Sequence, residues 1–163
     1  MRGEGNAGGE KGIELRACTL ADVEGVLEIL KQAPEAAAWS GAALEDALRQ
    51  QPETSFLVAA ESEEIVGFIV GRRIVDEGEI LNLGVRSERR SQGIGAALVK
   101  RLGGLFEKQG ARRLFLEVRE SNVGALQFYM GLGFHQTGKR PNYYHQPEEG
   151  ALVLEAKLGD DEG

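Results

Sequence analysis

The 163-residue sequence predicts an α/β fold: one mixed sheet with helices on both faces. Three observations lead there. Apolar runs at strand spacing alternate with runs at helical spacing, in the order β-α-α-β-β-β-α-β-α-β-β. No internal repeat and no proline-rich or serine-rich linker divides the chain, whose length suits one core. A strand-forming stretch, Glu79-Ile80-Leu81-Asn82-Leu83-Gly84-Val85, leads through Gly93 and Gly95 into an amphipathic helix.

Each element has a local reason. Ile13 to Ala17 reads as a first strand. Thr19 then caps a helix, with Asp22 in the capping-box position and Leu20, Val23, Leu27 and Leu30 along one side, until Pro34 ends it. A second helix starts at Ser40 and turns Leu44, Ala47 and Leu48 inward. The connection between them, Glu35 to Trp39, holds the only tryptophan, either a core plug or a wall of a binding site. Phe56 to Ala60 and Ile65 to Ile74 form a hairpin about the polar turn Glu61 to Glu64. The next strand runs from Glu79 to Arg86. Ile94, Leu98, Leu102, Leu105 and Phe106 then repeat at helical spacing, and Gly110 stops the run. Arg113 to Val118 is a strand. Ser121 caps a helix through Leu126, Phe128 and Tyr129, closed by Gly131 and Gly133. Phe134 to Tyr144 and Ala151 to Leu158 supply the last two strands. Residues 1–11 and 159–163 read as flexible tails around a domain over 12–158.

Composition removes several function classes. A net charge of −7 argues against nucleic acid as a partner and suits either solubility or a cationic partner. Cys18 is the only cysteine, which excludes an internal disulfide and a cysteine metal site, and with only two histidines, His135 and His145, no metal is expected. The glycine-rich start has no apolar core for a signal peptide, and no run of about 18 apolar residues would span a membrane. A cytoplasmic protein is expected.

The turn from Arg89 to Ala97 is the chemically distinctive stretch. A strand that turns through glycines into a helix leaves the first N–H groups of the helix without partners, and the helix dipole favours an anion there. Gly93 and Gly95 lack Cβ, so a phosphate can approach the main chain, and Arg89 and Arg90 add charge. Two other phosphate loops are excluded. A dinucleotide fingerprint fails because Leu98 stands where the third glycine belongs. The near-Walker run Gly133 to Lys139 fails because Arg140 replaces the magnesium-binding hydroxyl and Pro141 follows.

The spacing Arg90-x-x-Gly93-x-Gly95-Ala96 resembles the acyl-CoA loop of the GNAT acetyltransferase superfamily, whose sheet is mixed and mostly antiparallel. Residues 79 to 158 are similar to its RimI branch, the ribosomal-protein-alanine N-acetyltransferases. The pieces that carry the resemblance occur in family order: Ile80 to Val85, the glycine turn, Leu116-Glu117-Val118-Arg119-Glu120-Ser121-Asn122, Phe128-Tyr129-Met130-Gly131-Leu132-Gly133-Phe134, and Asn142-Tyr143-Tyr144. The first 60 residues match loosely, through Trp39-Ser40. Gly84 stands where alanine is common in the family. Ser91 stands where arginine is common, which weakens phosphate binding.

The resemblance implies acetyl-CoA as co-substrate, no metal, and a protein or peptide N-terminus, possibly ribosomal, as acceptor. It assigns cofactor binding to Leu83, Gly84, Val85, Arg90, Ser91, Gln92, Gly93, Ile94, Gly95, Ala96 and Asn122. Glu117 is implied as general base and Tyr129 as the acid that protonates the leaving CoA sulfur. Tyr143 and Tyr144 are implied to clamp the acceptor backbone.

The residues themselves leave alternatives. Glu117 interrupts an apolar strand, where desolvation would raise a carboxyl toward a useful base, or it sits on a wet strand face. Tyr129 also fits a core stripe with Phe128 and Leu132, and Asn122 also fits a helix start. Tyr143 and Tyr144 also fit packing beneath the last strands. His135 and His145 fall at no catalytic position of the family. Three readings remain: an N-terminal α-amine acetyltransferase, an enzyme acetylating lysine or a small amine, and a non-catalytic CoA-binding module. Having both Glu117 and Tyr129 argues against the third.

Overall fold

Residues 54–61 and 65–71 are buried almost throughout, while residues 77–85 and 113–119 alternate between buried and partly exposed, and the sheet forms where such runs pair. The computed structural model describes residues 12–33, 36–145 and 148–159. The segments 1–11 and 160–163, expected as tails, lie outside the described residues, as do Pro34, Glu35 and the side chain of His145. The strands are β1 (Ile13–Ala17), β2 (Thr54–Glu61), β3 (Glu64–Ile74), β4 (Glu77–Val85), β5 (Arg113–Arg119), β6 (His135–His145) and β7 (Glu148–Lys157). The helices are α1 (Val23–Gln32), α2 (Gly41–Arg49), α3 (Ile94–Lys108) and α4 (Val123–Gly131). This is the predicted order. Hydrogen bonding links the strands as β1-β2-β3-β4-β5-β7-β6 in a mixed, mostly antiparallel sheet, with β4 and β5 parallel.

The described residues divide into two compact units, the first holding residues 12–72 and 81–102, the second 73–80 and 103–159. In the first, β1 pairs with β2 from Ile13↔Glu61 to Ala17↔Leu57, and β2 and β3 form the expected hairpin. Val26, Ile29, Leu44, Phe56, Val58, Phe68 and Val70 make its core, with Trp39 packed against them, so the tryptophan serves as a plug. In the second, β5 pairs with β7 from Arg113↔Lys157 to Arg119↔Ala151, and β7 pairs with β6.

Two local expectations are corrected. Leu20, expected on the inner side of the first helix, is 67% exposed. Leu20–Asp22 form a 3-10 turn before α1, and its tighter period turns Leu20 away from the apolar stripe. Ser121 was the expected cap of α4, but Asn122 fills that place, its Oδ1 accepting the Ala125 N–H at 3.1 Å. The Ser121 N–H instead donates to Glu149 Oε2 at 2.5 Å, so the helix starts one residue later.

Candidate active site

The expected cofactor residues Leu83 to Ala96 lie in the first unit. The β4–β5 ladder ends at Glu79↔Phe115, so Leu83, Gly84 and Val85 lie past its last rung. Asn82 anchors this stretch. Its Oδ1 accepts the N–H groups of Ala37 at 3.1 Å and Leu83 at 3.0 Å, and its Nδ2 donates to the Ala37 carbonyl at 3.0 Å. Asn82 is 5% exposed, so these bonds satisfy a buried amide and tie the α1–α2 connection to β4. The glycine at 84 has a packing reason. A Cβ there would fall 2.7 Å from Phe68 Cε1 and 3.2 Å from Ile29 Cγ2, so the Phe68 ring fills the space that alanine would need.

After β4 the chain makes a 3-10 turn over Ser87–Arg89 and an extended step at Arg90. Ser91 (φ +65°) and Gly93 (φ +86°) are left-handed. The Ala97 N–H donates to the Gly93 carbonyl at 3.0 Å, which leaves the N–H groups of Ile94, Gly95 and Ala96 without partners inside the helix. A Cβ at Gly93 would meet nothing within 4 Å. Glycine is therefore required there by backbone conformation, and the space over the turn is open. The start of α3 packs close to β3, where a Cβ on Gly67 would stand 3.0 Å from Ile94 and 3.2 Å from Leu98. Left-handed turns, unpartnered helix-start donors and open space fit a phosphate.

The two arginines of this turn are already engaged. Arg89 pairs with Glu61 and donates from Nε to Gln92 at 3.0 Å. Arg90 turns its guanidinium toward the carbonyls of Val85, at 3.4 Å, and Gln32, at 3.5 Å. The main chain is thus the clearer anion feature of the turn.

Glu117, Asn122, Tyr129, Tyr143 and Tyr144 lie in the second unit. On β5 the buried Leu114, Leu116 and Val118 alternate with Glu117, whose side chain is 17% exposed. Arg140 Nη1 donates to Glu117 Oε2 at 2.6 Å. The register shows how they meet across β7: Glu117 pairs with Val153, which pairs with Gly138, two residues before Arg140 on β6. Arg140, opposite Ala151, thus reaches Glu117 on a diagonal across β7.

Beyond Arg140 the β6–β7 ladder slips, four steps along β6 matching two along β7 before Tyr144 meets Glu149. Asn142 takes up the slack at φ +56°. The bulge presents Tyr143 and Tyr144 edge to face, 5.1 Å apart at 77°. Arg140 lies 4.8 Å from the Tyr143 ring centre and Arg119 4.2 Å from that of Tyr144. Hydrogen bonding to the Glu117 carboxylate, and then its negative charge, push the Tyr143 phenol above its ordinary pKa.

Tyr129 is 7% exposed and packs edge to face on Phe128 and Phe134. Burial pushes its phenol well above the usual range. Among the described residues the phenol has no hydrogen-bond partner. A buried hydroxyl without a partner is costly unless a ligand supplies one. Asn122 uses its oxygen for the helix cap and keeps its Nδ2 donors. His135 is exposed on β6. Among the described residues no group of three or more potential ligands could hold a metal, and no helix is long and apolar enough to cross a membrane.

Sequence reasoning missed Arg140 as a partner of Glu117 and Asn82 as an anchor. Arg140 is 23 positions from Glu117, on a strand separated from β5 by β7, and no local spacing signals that contact. Asn82 carried a legible hint, a polar residue at an inward position of an alternating strand.

Comparison with known proteins gives the family and the fold. Residues 23–134 match the acetyltransferase (GNAT) family. A putative ribosomal protein bS18-alanine N-acetyltransferase of Bacillus subtilis is 30% identical over 140 residues, 86% of this chain and 92% of that protein. The Escherichia coli ribosomal protein bS18-alanine N-acetyltransferase is 36% identical over 96 residues, 58% of this chain and 65% of that protein. Its crystal structure superposes with a TM-score of 0.77 at 25% identity, covering 93% of this chain and 98% of that one. Ard1 from Thermoplasma volcanium superposes with a TM-score of 0.83 at 31% identity, over 91% of this chain and 99% of that one. The chain belongs to the GNAT family of acetyltransferases and is an acetyl-CoA-dependent N-acetyltransferase.

Proposed function

We propose that residues 12–158 act as one transferase domain that acetylates the N-terminal α-amine of a protein beginning with alanine, a ribosomal protein. The observation that carries the chemistry is the buried Tyr129 phenol, which lacks a hydrogen-bond partner among the described residues and suits protonation of a departing thiolate. Relatives named as ribosomal protein bS18-alanine N-acetyltransferases support the acceptor.

Acetyl-CoA, when bound, supplies an activated acetyl thioester. The main-chain N–H groups from Arg90 to Ala96 hold its phosphates. Leu83, Gly84 and Val85, past the last β4–β5 rung, offer backbone groups to its arm, and Asn122 Nδ2 adds a donor. Glu117 takes the proton from the attacking amine, and Tyr129 gives a proton to sulfur. Tyr143 and Tyr144 flank the acceptor backbone.

Amine basicity favours an N-terminus over lysine. An α-amine has a pKa of about 7.7–8.0 and a lysine side chain about 10.4, so freeing the lone pair at neutral pH costs about 1 and about 4.6 kcal/mol respectively. One carboxylate base suits the smaller task. The test compares CoA release with an alanine-first peptide and with a lysine-bearing copy whose N-terminus is blocked. The blocked peptide should react at least about tenfold more slowly. Equal or faster reaction would overturn the α-amine assignment and favour lysine.

A further inference from the structure

We infer that Glu117 and the Tyr143 ring form a cation-binding subsite for the acceptor's ammonium group, and that Arg140 is its resident competitor, a residue that sets acceptor affinity. The inference rests on the proposed function for the identity of the acceptor, but the subsite itself is read from geometry. One guanidinium makes two contacts at once: a 2.6 Å bond from Nη1 to Glu117 Oε2, and a position 4.8 Å from the Tyr143 ring centre. A carboxylate beside an aromatic face is the chemistry that holds an alkylammonium ion.

Charge and exposure separate the occupant from the site. The Glu117 side chain is 17% exposed and held on the regular part of β5, whereas the Arg140 side chain is 53% exposed at the edge of the β6 bulge. The carboxylate stays and the arginine is the part able to leave. An ion pair with one partner half in water contributes little net stability, because solvent screens it and a long side chain must be held still. An incoming ammonium therefore meets a weak competitor. Tyr144 has its own cation in Arg119, which is paired with Glu149 at 3.1 Å, so the two tyrosines are not equivalent. Displacement of Arg140 frees Tyr143 and leaves Tyr144 as it is.

The test titrates n-butylammonium into wild type, Arg140→Gln, Arg140→Lys and Glu117→Gln, following the Tyr143 ring by NMR. Arg140→Gln should bind the ion about two- to fivefold more tightly than wild type, with Arg140→Lys close to wild type because a resident cation is restored. Glu117→Gln should lose saturable binding. Affinity in Arg140→Gln that equals or falls below wild type would overturn the inference. The same proteins are then assayed with the alanine-first peptide, where Arg140→Gln should lower KM by a similar factor and change kcat less. Peptide turnover without a difference in butylammonium binding sinks the subsite and spares the proposed function. Butylammonium binding without peptide turnover does the reverse.

Discussion

Replacing Gly84 by alanine tests whether the Phe68 ring dictates glycine at this place in β4. The added Cβ would lie 2.7 Å from Phe68 Cε1, about 1 Å inside a relaxed carbon–carbon contact. Phe68 is fully buried and tilted against Phe56 at 6.2 Å, so its ring has little room to retreat. Ile29, whose Cγ2 would lie 3.2 Å from the same Cβ, is also fully buried. Overpacking a core by one methyl group costs about 1–3 kcal/mol. Alanine restricts the unfolded chain and returns about 0.4–1 kcal/mol. The net cost should be about 1–2 kcal/mol, which for a chain of this size lowers Tm by roughly 2–8 °C. Denaturant melts would read this as a lower midpoint at constant m. In a Phe68→Leu background the smaller side chain should relieve the clash, giving a coupling of about 1 kcal/mol in a double-mutant cycle. An alanine variant as stable as wild type, or one equally damaged in both backgrounds, would refute the reasoning.

Four further substitutions have expected outcomes. Glu117→Gln should cut turnover roughly 100-fold while leaving acetyl-CoA affinity near normal, and Tyr129→Phe should slow single turnover with a stability change under about 1 kcal/mol, since no hydrogen bond to a described residue is lost; stopped-flow and thermal melts together check the pair. Gly93→Ala should weaken acetyl-CoA binding by at least about tenfold and cost about 1–2 kcal/mol of stability through its left-handed backbone, φ +86°; calorimetry showing unchanged affinity would remove Gly93 from the cradle. Asp22→Asn concerns stability and pH. The Asp22 carboxylate accepts from Arg16 at 2.7 and 3.1 Å and from the Thr19 N–H and Oγ1 at 2.8 and 3.0 Å, and the hydrogen bond from Arg16 chiefly holds its pKa below the usual value. A depressed folded pKa means the stabilisation is present above the unfolded value of about 3.9 and is lost as pH falls through the lower folded one. The variant should therefore be about 1–2 kcal/mol less stable at pH 7, and melts repeated below pH 3.9 should show the gap closing.

The sequence by itself determined the element order and the glycine turn, because each rests on contacts near in the chain. Periodic burial makes a strand or helix legible within ten residues, and a glycine turn opening a helix near Ile94 is written in the local pattern. Glu117 was legible for the same reason, a carboxylate among apolar neighbours on one strand. What the sequence could not carry was who meets that carboxylate. The local pattern offers that carboxylate either desolvation or a wet strand face, whereas Arg140 reaches it across β7, beside a β-bulge whose register no local rule predicts. The Tyr129 phenol, without a hydrogen-bond partner among the described residues, the Asn82 anchor on Ala37 and the Phe68 ring behind Gly84 were likewise decided by tertiary structure. Each depends on residues far apart in sequence that only the sheet order and side-chain packing bring within a few ångströms.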